Sequence, residues 1–241
     1  MRTIIWYIHL VISTLAKTPE MYSLKRRRGR MEPAEFERAA QKSIAGWARS
    51  QAEWSGSRIV VTGDGHIPQN QAVLFISNHQ SNFDIVVFLG YVGTAAKGFI
   101  AKAEIEKLPL VPTWMGFINC VFIDRENMRK SAEAVLKGIE MLKNGKSMVL
   151  FPEGTRSKGA QMGEFKKASF KLATKSGACV VPVTIDGTYK IMEANGMRIR
   201  PADVAVTIHE PIFVRDMTKE ELAALPKRVE EIIGSALLQK I

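Results

Sequence analysis

Two side chains able to share a proton, His79 and Asp84, stand five positions apart in the polar stretch NHQSNFD, directly after the apolar run VLFIS at 73–77. Histidine has the unperturbed pKa nearest neutrality, and a carboxylate bonded to one ring nitrogen leaves the other to act as a general base. The plainer alternative is a loop histidine that caps a turn, followed by a carboxylate at the start of the helix DIVVFLGY, where the helix dipole favours it. An H-x4-D spacing is short enough to arise by accident. On this stretch alone both readings stand.

A second stretch, FPEGTRS at 151–157, narrows the choice. Pro152 stiffens the exit from an apolar run, Gly154 permits close backbone approach, and Glu153 and Arg156 lie three apart in what should be a tight loop. Its plainer alternative is an ion pair that stiffens the loop. Lys102 closes the run GFIAK at 98–102, and Arg125 follows CVFID at 120–124. For these two cations the alternative is a solvated charge.

These residues need elements to carry them. From residue 58 onward, strand candidates at 58–63, 73–77, 98–102, 120–124, 147–151, 179–185 and 204–209 alternate with helical patterns over 84–91, 128–143, 166–175 and 219–239. That alternation predicts an α/β fold, a mixed but mostly parallel central sheet covered by helices. Ligands in such sheets collect at the carboxyl ends of the strands. Four of the candidates end in the polar residues just named, so one rim is expected to gather His79, Asp84, Lys102, Arg125 and Glu153 to Arg156.

The amino-terminal region reads differently. IIWYIHLVISTLA at 4–16 is apolar, but a spanning helix needs roughly 20 apolar residues. KRRRGR at 25–30 follows it, and near an anionic leaflet each such charge contributes about 1 kcal/mol before screening. A further amphipathic helix begins at Pro33 and ends before Gly56, with Phe36, Ala40, Ile44, Trp47 and Trp54 on one stripe. An amphipathic, membrane-associated helix pair around a basic linker is expected over 1–56, with the α/β domain over 57–241. A core helix followed by a solvated basic loop is the alternative. No persuasive cleavage site follows the apolar segment.

Lys and Arg outnumber Asp and Glu 34 to 24, a formal charge of +10, which favours a polyanionic partner: nucleic acid, anionic lipid or a phosphorylated substrate. Nucleic acid fits poorly, because the basic run adjoins an apolar segment and no recognition motif is present. Cys120 and Cys179 sit in apolar runs and read as reduced core residues in a cytosol-facing protein. The histidines at 9, 66, 79 and 209 are scattered without ligand spacing, so no metal site is expected.

Taken together and in this order, NHQSNFD, FIDR at 122–125 and FPEGTRS resemble the motif set of the glycerolipid acyltransferases, in particular the bacterial 1-acylglycerol-3-phosphate acyltransferases. VVPVTI at 180–185, with Pro182, is similar to that family's proline-bearing strand. The resemblance implies acyl transfer from a thioester, on acyl-CoA or acyl carrier protein, to the hydroxyl of lysophosphatidic acid, forming phosphatidic acid with no further cofactor. It implies that His79 is the general base and Asp84 its orienting partner. Arg156 and Lys102 would contact the phosphate first and Arg125 next, Glu153 would orient the glycerol hydroxyl or hold Arg156, and Gly154 and Thr155 would offer backbone donors to the oxyanion. No acyl-enzyme is expected, although Ser77, Ser81 and Cys120 lie near enough in sequence to be tested. The implied place is the cytoplasmic face of the cell membrane, peripheral or monotopic. Glycerol-3-phosphate or a lysophospholipid as acceptor, and a non-catalytic protein that binds phosphatidic acid, are the competing readings.

Overall fold

The computed structural model describes residues 1–124 and 126–238. Seven strands form one sheet in the order β1-β7-β6-β2-β5-β3-β4. They are β1 (Arg58–Thr62), β2 (Val73–Ser77), β3 (Lys97–Lys102), β4 (Val121–Ile123), β5 (Ser147–Leu150), β6 (Cys179–Asp186) and β7 (Asp203–Ile208). Every pairing is parallel except β6 with β7, where Val183 faces Ile208. The inner strands β2 and β6 are near-continuous apolar runs because helices cover both faces, whereas edge strand β1 alternates in burial.

Pro182 sits inside β6 without breaking it. Val180 donates to Ile212 on the β7 side, so Pro182, two residues on, turns its nitrogen to that side, between this bridge and the ladder that starts at Val183. A missing N–H is tolerated there.

The helices are α1 (Arg2–Ala16), α2 (Thr18–Arg27), α3 (Pro33–Ser55), α4 (Phe83–Tyr91), α5 (Val111–Phe117), α6 (Met128–Lys143), α7 (Lys171–Ser176) and α8 (Lys219–Leu238). One face of the sheet, with Val73, Phe75, Phe99 and Val149, packs against α4 and the amino-terminal helices. The other, with Leu74, Ile76 and Met148, packs against α6, α7 and α8.

The amino-terminal region departs from expectation in two ways. The basic stretch is only partly a linker: Lys25, Arg26 and Arg27 form the last turn of α2, where cations complement the helix dipole, while Arg28–Arg30 form the turn that leads to α3, with Arg28 over the Phe36 ring. Three helices therefore stand where a pair was expected. Residues 1–56 also share the core of the sheet, since Trp6, Ile44, Ala48 and Ala52 are buried with Phe83 and Phe88. Trp6 donates to the Gln51 carbonyl at 2.9 Å and Arg49 to the Gly90 carbonyl at 2.7 Å. The outer side of α1 has no such cover: Ile4, Ile8, Val11, Ile12 and Leu15 are exposed along one stripe. Among the described residues, no helix is long and apolar enough to cross a membrane. Helix α5 was not expected from the sequence; Pro112 sits in its first turn.

Candidate active site

Because β2, β3, β4, β5 and β6 run in parallel, their carboxyl ends share one edge, and the loops leaving β2, β5 and β6 knit together there. Asn78, the first residue past β2, is fully buried. Its side chain donates to the Ile185 carbonyl and accepts from the Ile185 N–H, both at 2.8 Å, which ties the β2 exit to β6.

His79 Nδ1 lies 2.7 Å from Asp84 Oδ2. Asp84 is 0% exposed, and its Oδ2 acts as an acceptor, so Nδ1 donates in this bond and Nε2 lies on the far side of the ring. The same Oδ2 accepts from the N–H of Gln80 at 2.7 Å and of Ser81 at 2.9 Å, while Thr188 Oγ1 donates to Oδ1 at 2.5 Å. Four donors hold this carboxylate in place. The imidazole stacks on Phe151 at 4.1 Å between ring centroids, with the planes 16° apart. Ring plane and tautomer are thus both set by contacts. Among the described residues, Nε2 has no protein partner.

The FPEGTRS loop is bonded to the histidine's own backbone. The His79 N–H donates to Glu153 Oε1 at 2.6 Å and the His79 carbonyl accepts from the Ser157 N–H at 2.8 Å. Glu153 Oε2 accepts from the Gly163 N–H at 2.8 Å, so both its oxygens serve backbone groups. Burial pushes the Glu153 carboxyl up, and the two N–H donors pull it back. Glu153 is therefore a brace between loops. It neither faces an open site nor holds Arg156, in contrast to the roles the resemblance implied, because it is buried beneath the loop.

Arg156 instead pairs with Glu193, Nη1 to Oε1 at 2.9 Å. Gly154 takes φ +73, which favours glycine, and a Cβ on it would lie 2.9 Å from Lys166 Nζ, so a lysine overhangs the loop. Thr155 is exposed beside it. Lys102 is exposed at the carboxyl end of β3, on the same rim and two strands from β2. Arg125 lies outside the described residues.

Thr188, Glu193 and Phe151's stacking role were not read from the sequence. Thr188 and Glu193 lie two and seven residues past the end of β6, where no motif marks them. Cys120 and Cys179 are both buried and free, as expected.

Known proteins place the chain among relatives. Residues 58–186, more than half of it, match the Acyltransferase family model. It is 38% identical over 157 residues to a chloroplastic 1-acyl-sn-glycerol-3-phosphate acyltransferase of Arabidopsis thaliana, covering 64% of this chain and 44% of that one. The chain thus spans less than half the length of that plant relative. It is 30% identical over 187 residues to the 1-acyl-sn-glycerol-3-phosphate acyltransferase of Borreliella burgdorferi, covering 78% of this chain and 73% of that one. The crystal structure of the 1-acyl-sn-glycerophosphate (LPA) acyltransferase PlsC from Thermotoga maritima superposes with a TM-score of 0.82 at 32% identity, over 99% of this chain and 97% of that one. With the family model covering most of the sheet and its rim, the chain belongs to the acyltransferase family.

Proposed function

We propose that the protein transfers a fatty acyl group from an acyl thioester to the free sn-2 hydroxyl of 1-acylglycerol-3-phosphate, forming phosphatidic acid. The observation that carries this reading is the His79 ring, held by Asp84 and Phe151 with Nε2 unpartnered, on the same loop pair that presents Arg156. Nε2 removes the hydroxyl proton as the oxygen attacks the thioester carbonyl. Asp84 stabilises the imidazolium so formed. The C–O bond forms, the C–S bond breaks, and the thiolate leaves with the proton returned from His79. The donor is acyl-CoA or acyl carrier protein, and no other cofactor takes part.

Arg156 reads the acceptor phosphate, because a guanidinium fork matches phosphate oxygens, and Lys102 and Arg125 add positive charge to the rim. The Gly154 N–H is spent on the Phe151 carbonyl at 3.1 Å, which leaves the backbone of Thr155 to face the developing oxyanion. Direct transfer is supported by the state of the nearby nucleophiles. Ser77 is buried and donates to the Asn78 carbonyl, Ser81 donates to Glu193, and burial pushes the Cys120 thiol up to about 12. The bare apolar stripe of α1, together with the basic residues at the end of α2, would seat the protein on the cytoplasmic face of the membrane, where a single-chain lipid acceptor resides. That stripe favours a lipid acceptor over glycerol-3-phosphate.

The test is an assay of the full chain with 1-acylglycerol-3-phosphate and a radiolabelled acyl donor. Phosphatidic acid is expected from wild type, and His79→Ala should lower turnover by about 10² to 10⁴, the usual worth of a general base. Rapid quench should find no acyl group on the protein. A stoichiometric covalent burst would sink direct transfer.

A further inference from the structure

Glu193 is an acid that the chemistry above does not use, yet its side chain is only 2% exposed. A carboxylate buried to that degree is kept by its partners. The segment that carries it explains the burial: after β6, Ile191 and Met192 are anchored in the core, so the next residue is turned back to the rim. There Glu193 Oε1 accepts from the Asn82 N–H at 2.9 Å and from Arg156 Nη1 at 2.9 Å, and Oε2 accepts from the Ser81 hydroxyl at 2.5 Å.

The identity of these partners is what matters. Ser81 and Asn82 lie between His79 and Asp84, in the turn that aims the base. Arg156 belongs to the other loop, the one proposed to read phosphate. One carboxylate grips both. Among the described residues the Nε and Nη2 donors of Arg156 have no protein partner, so Glu193 holds the guanidinium by one corner and leaves a fork of donors open.

Resting on the function proposed above, we infer that Glu193 is a positioning residue that sets the span between the phosphate reader and the base, and thereby selects which acceptor hydroxyl is acylated. On the acceptor, the phosphate ester oxygen on C3 is separated from the sn-2 hydroxyl by two carbons and from an sn-1 hydroxyl by three. With Arg156 tied to the turn that carries His79, Nε2 meets the nearer hydroxyl. Once the tie is loosened, Arg156 swings on its flexible stem and either hydroxyl reaches the base.

The experiment compares two non-migrating ether acceptors, 1-alkyl-glycerol-3-phosphate and its 2-alkyl isomer, with one acyl donor and the full chain in mixed micelles. Product from wild type with the 1-alkyl acceptor tests the underlying activity; its absence counts against the proposed function, whereas the ratio between isomers reports on Glu193. Wild type should prefer the 1-alkyl acceptor, and Glu193→Gln should narrow that preference about tenfold and raise the KM for acceptor with the KM for donor unchanged, since misplacement on the scale of one ångström costs up to 10²-fold. Glu193→Asp should fall between the two. A role in folding alone would lower stability and kcat without moving the ratio between isomers. The inference is overturned if wild type uses both isomers equally, or if a Glu193→Gln protein that melts normally keeps the full preference. Should that variant not fold, Ser81→Ala removes one tie while keeping the Arg156 pair, and the preference should narrow by about threefold; an unchanged ratio there also overturns it.

Discussion

Charged groups buried at the two ends of the sheet are treated in opposite ways. At the carboxyl end Asp84, 0% exposed, receives hydrogen bonds from His79, Gln80, Ser81 and Thr188. At the amino end Lys97, 1% exposed at the start of β3, has a side-chain nitrogen with no hydrogen-bond partner among the described residues. Lys97 shares its face of β3 with Phe99, in the apolar layer beneath α4. Burial alone pushes its pKa down to about 7. The contrast separates two reasons for a buried charge. The loops supply the Asp84 carboxylate with donors, and that arrangement fixes the His79 ring. Lys97 has only the cost of desolvation, so it is a debit on stability that the rim chemistry does not require.

The largest effect should come from breaking the satisfied end. Asp84→Asn takes the charge from beneath the imidazolium and offers Nδ1 an amide, and kcat should fall by about 10²-fold or more. Steady-state kinetics of a variant shown to be folded reads this directly; near-normal kcat would make the Asp84 network purely structural. At the unsatisfied end, Lys97→Met should raise stability by a few kcal/mol with kcat unchanged, measured by denaturant unfolding. A loss of stability would mean that the ammonium is paired in solution.

The same lysine gives the contrast a pH signature. From about pH 7 to its unfolded value near 10.5, Lys97 is mostly neutral when folded and charged when unfolded, so the unfolded chain binds more protons. Stability should therefore rise with pH across that window, relative to Lys97→Met, and the difference between the two proteins should be greatest and flat below pH 7. Parallel stability curves would remove the assignment. The smallest change is Thr188→Val, which leaves one Asp84 oxygen short of a donor. It should cost about 1–3 kcal/mol in stability and lower kcat several-fold. If Thr188→Val matched wild type in both, the bond to Oδ1 would be incidental.

Much of this could be read along the chain. The inner strands show as apolar runs because a parallel sheet covered on both faces needs side chains that tolerate burial on either side, and VLFIS and CVVPVTI met that need. His79 and Asp84 were legible because their spacing lies within one turn, where local geometry limits the possibilities. The basic stretch was half legible: Arg28–Arg30 do link two helices, but Lys25 to Arg27 continue α2, because Met21 and Leu24 are buried against Phe36 and hold it helical. Glu153 misled. Its sequence neighbour Arg156 is a natural ion-pair partner, but the loop turns its carboxylate inward to the N–H groups of His79 and Gly163 and leaves Arg156 facing a different acid.

By itself, then, the amino-acid sequence determined the α/β class, the helical cover, the rim at the strand ends, the histidine with its aspartate, and the family resemblance, all of which depend on periodicity or on residues within a few positions of each other. The tertiary structure alone decided that Thr188 sits under Asp84, that Glu193 grips both Arg156 and the turn between His79 and Asp84, that Glu153 is a brace, and that Lys97 is buried with no hydrogen-bond partner among the described residues. Those contacts join residues 104, 112, 37 and 74 positions apart in the Thr188, Ser81–Glu193, Arg156–Glu193 and His79–Glu153 bonds. The physical reason is that hydrogen-bond partners are chosen by direction and distance in space, and only packing of β2, β5 and β6 side by side brings their exit loops within reach of one another.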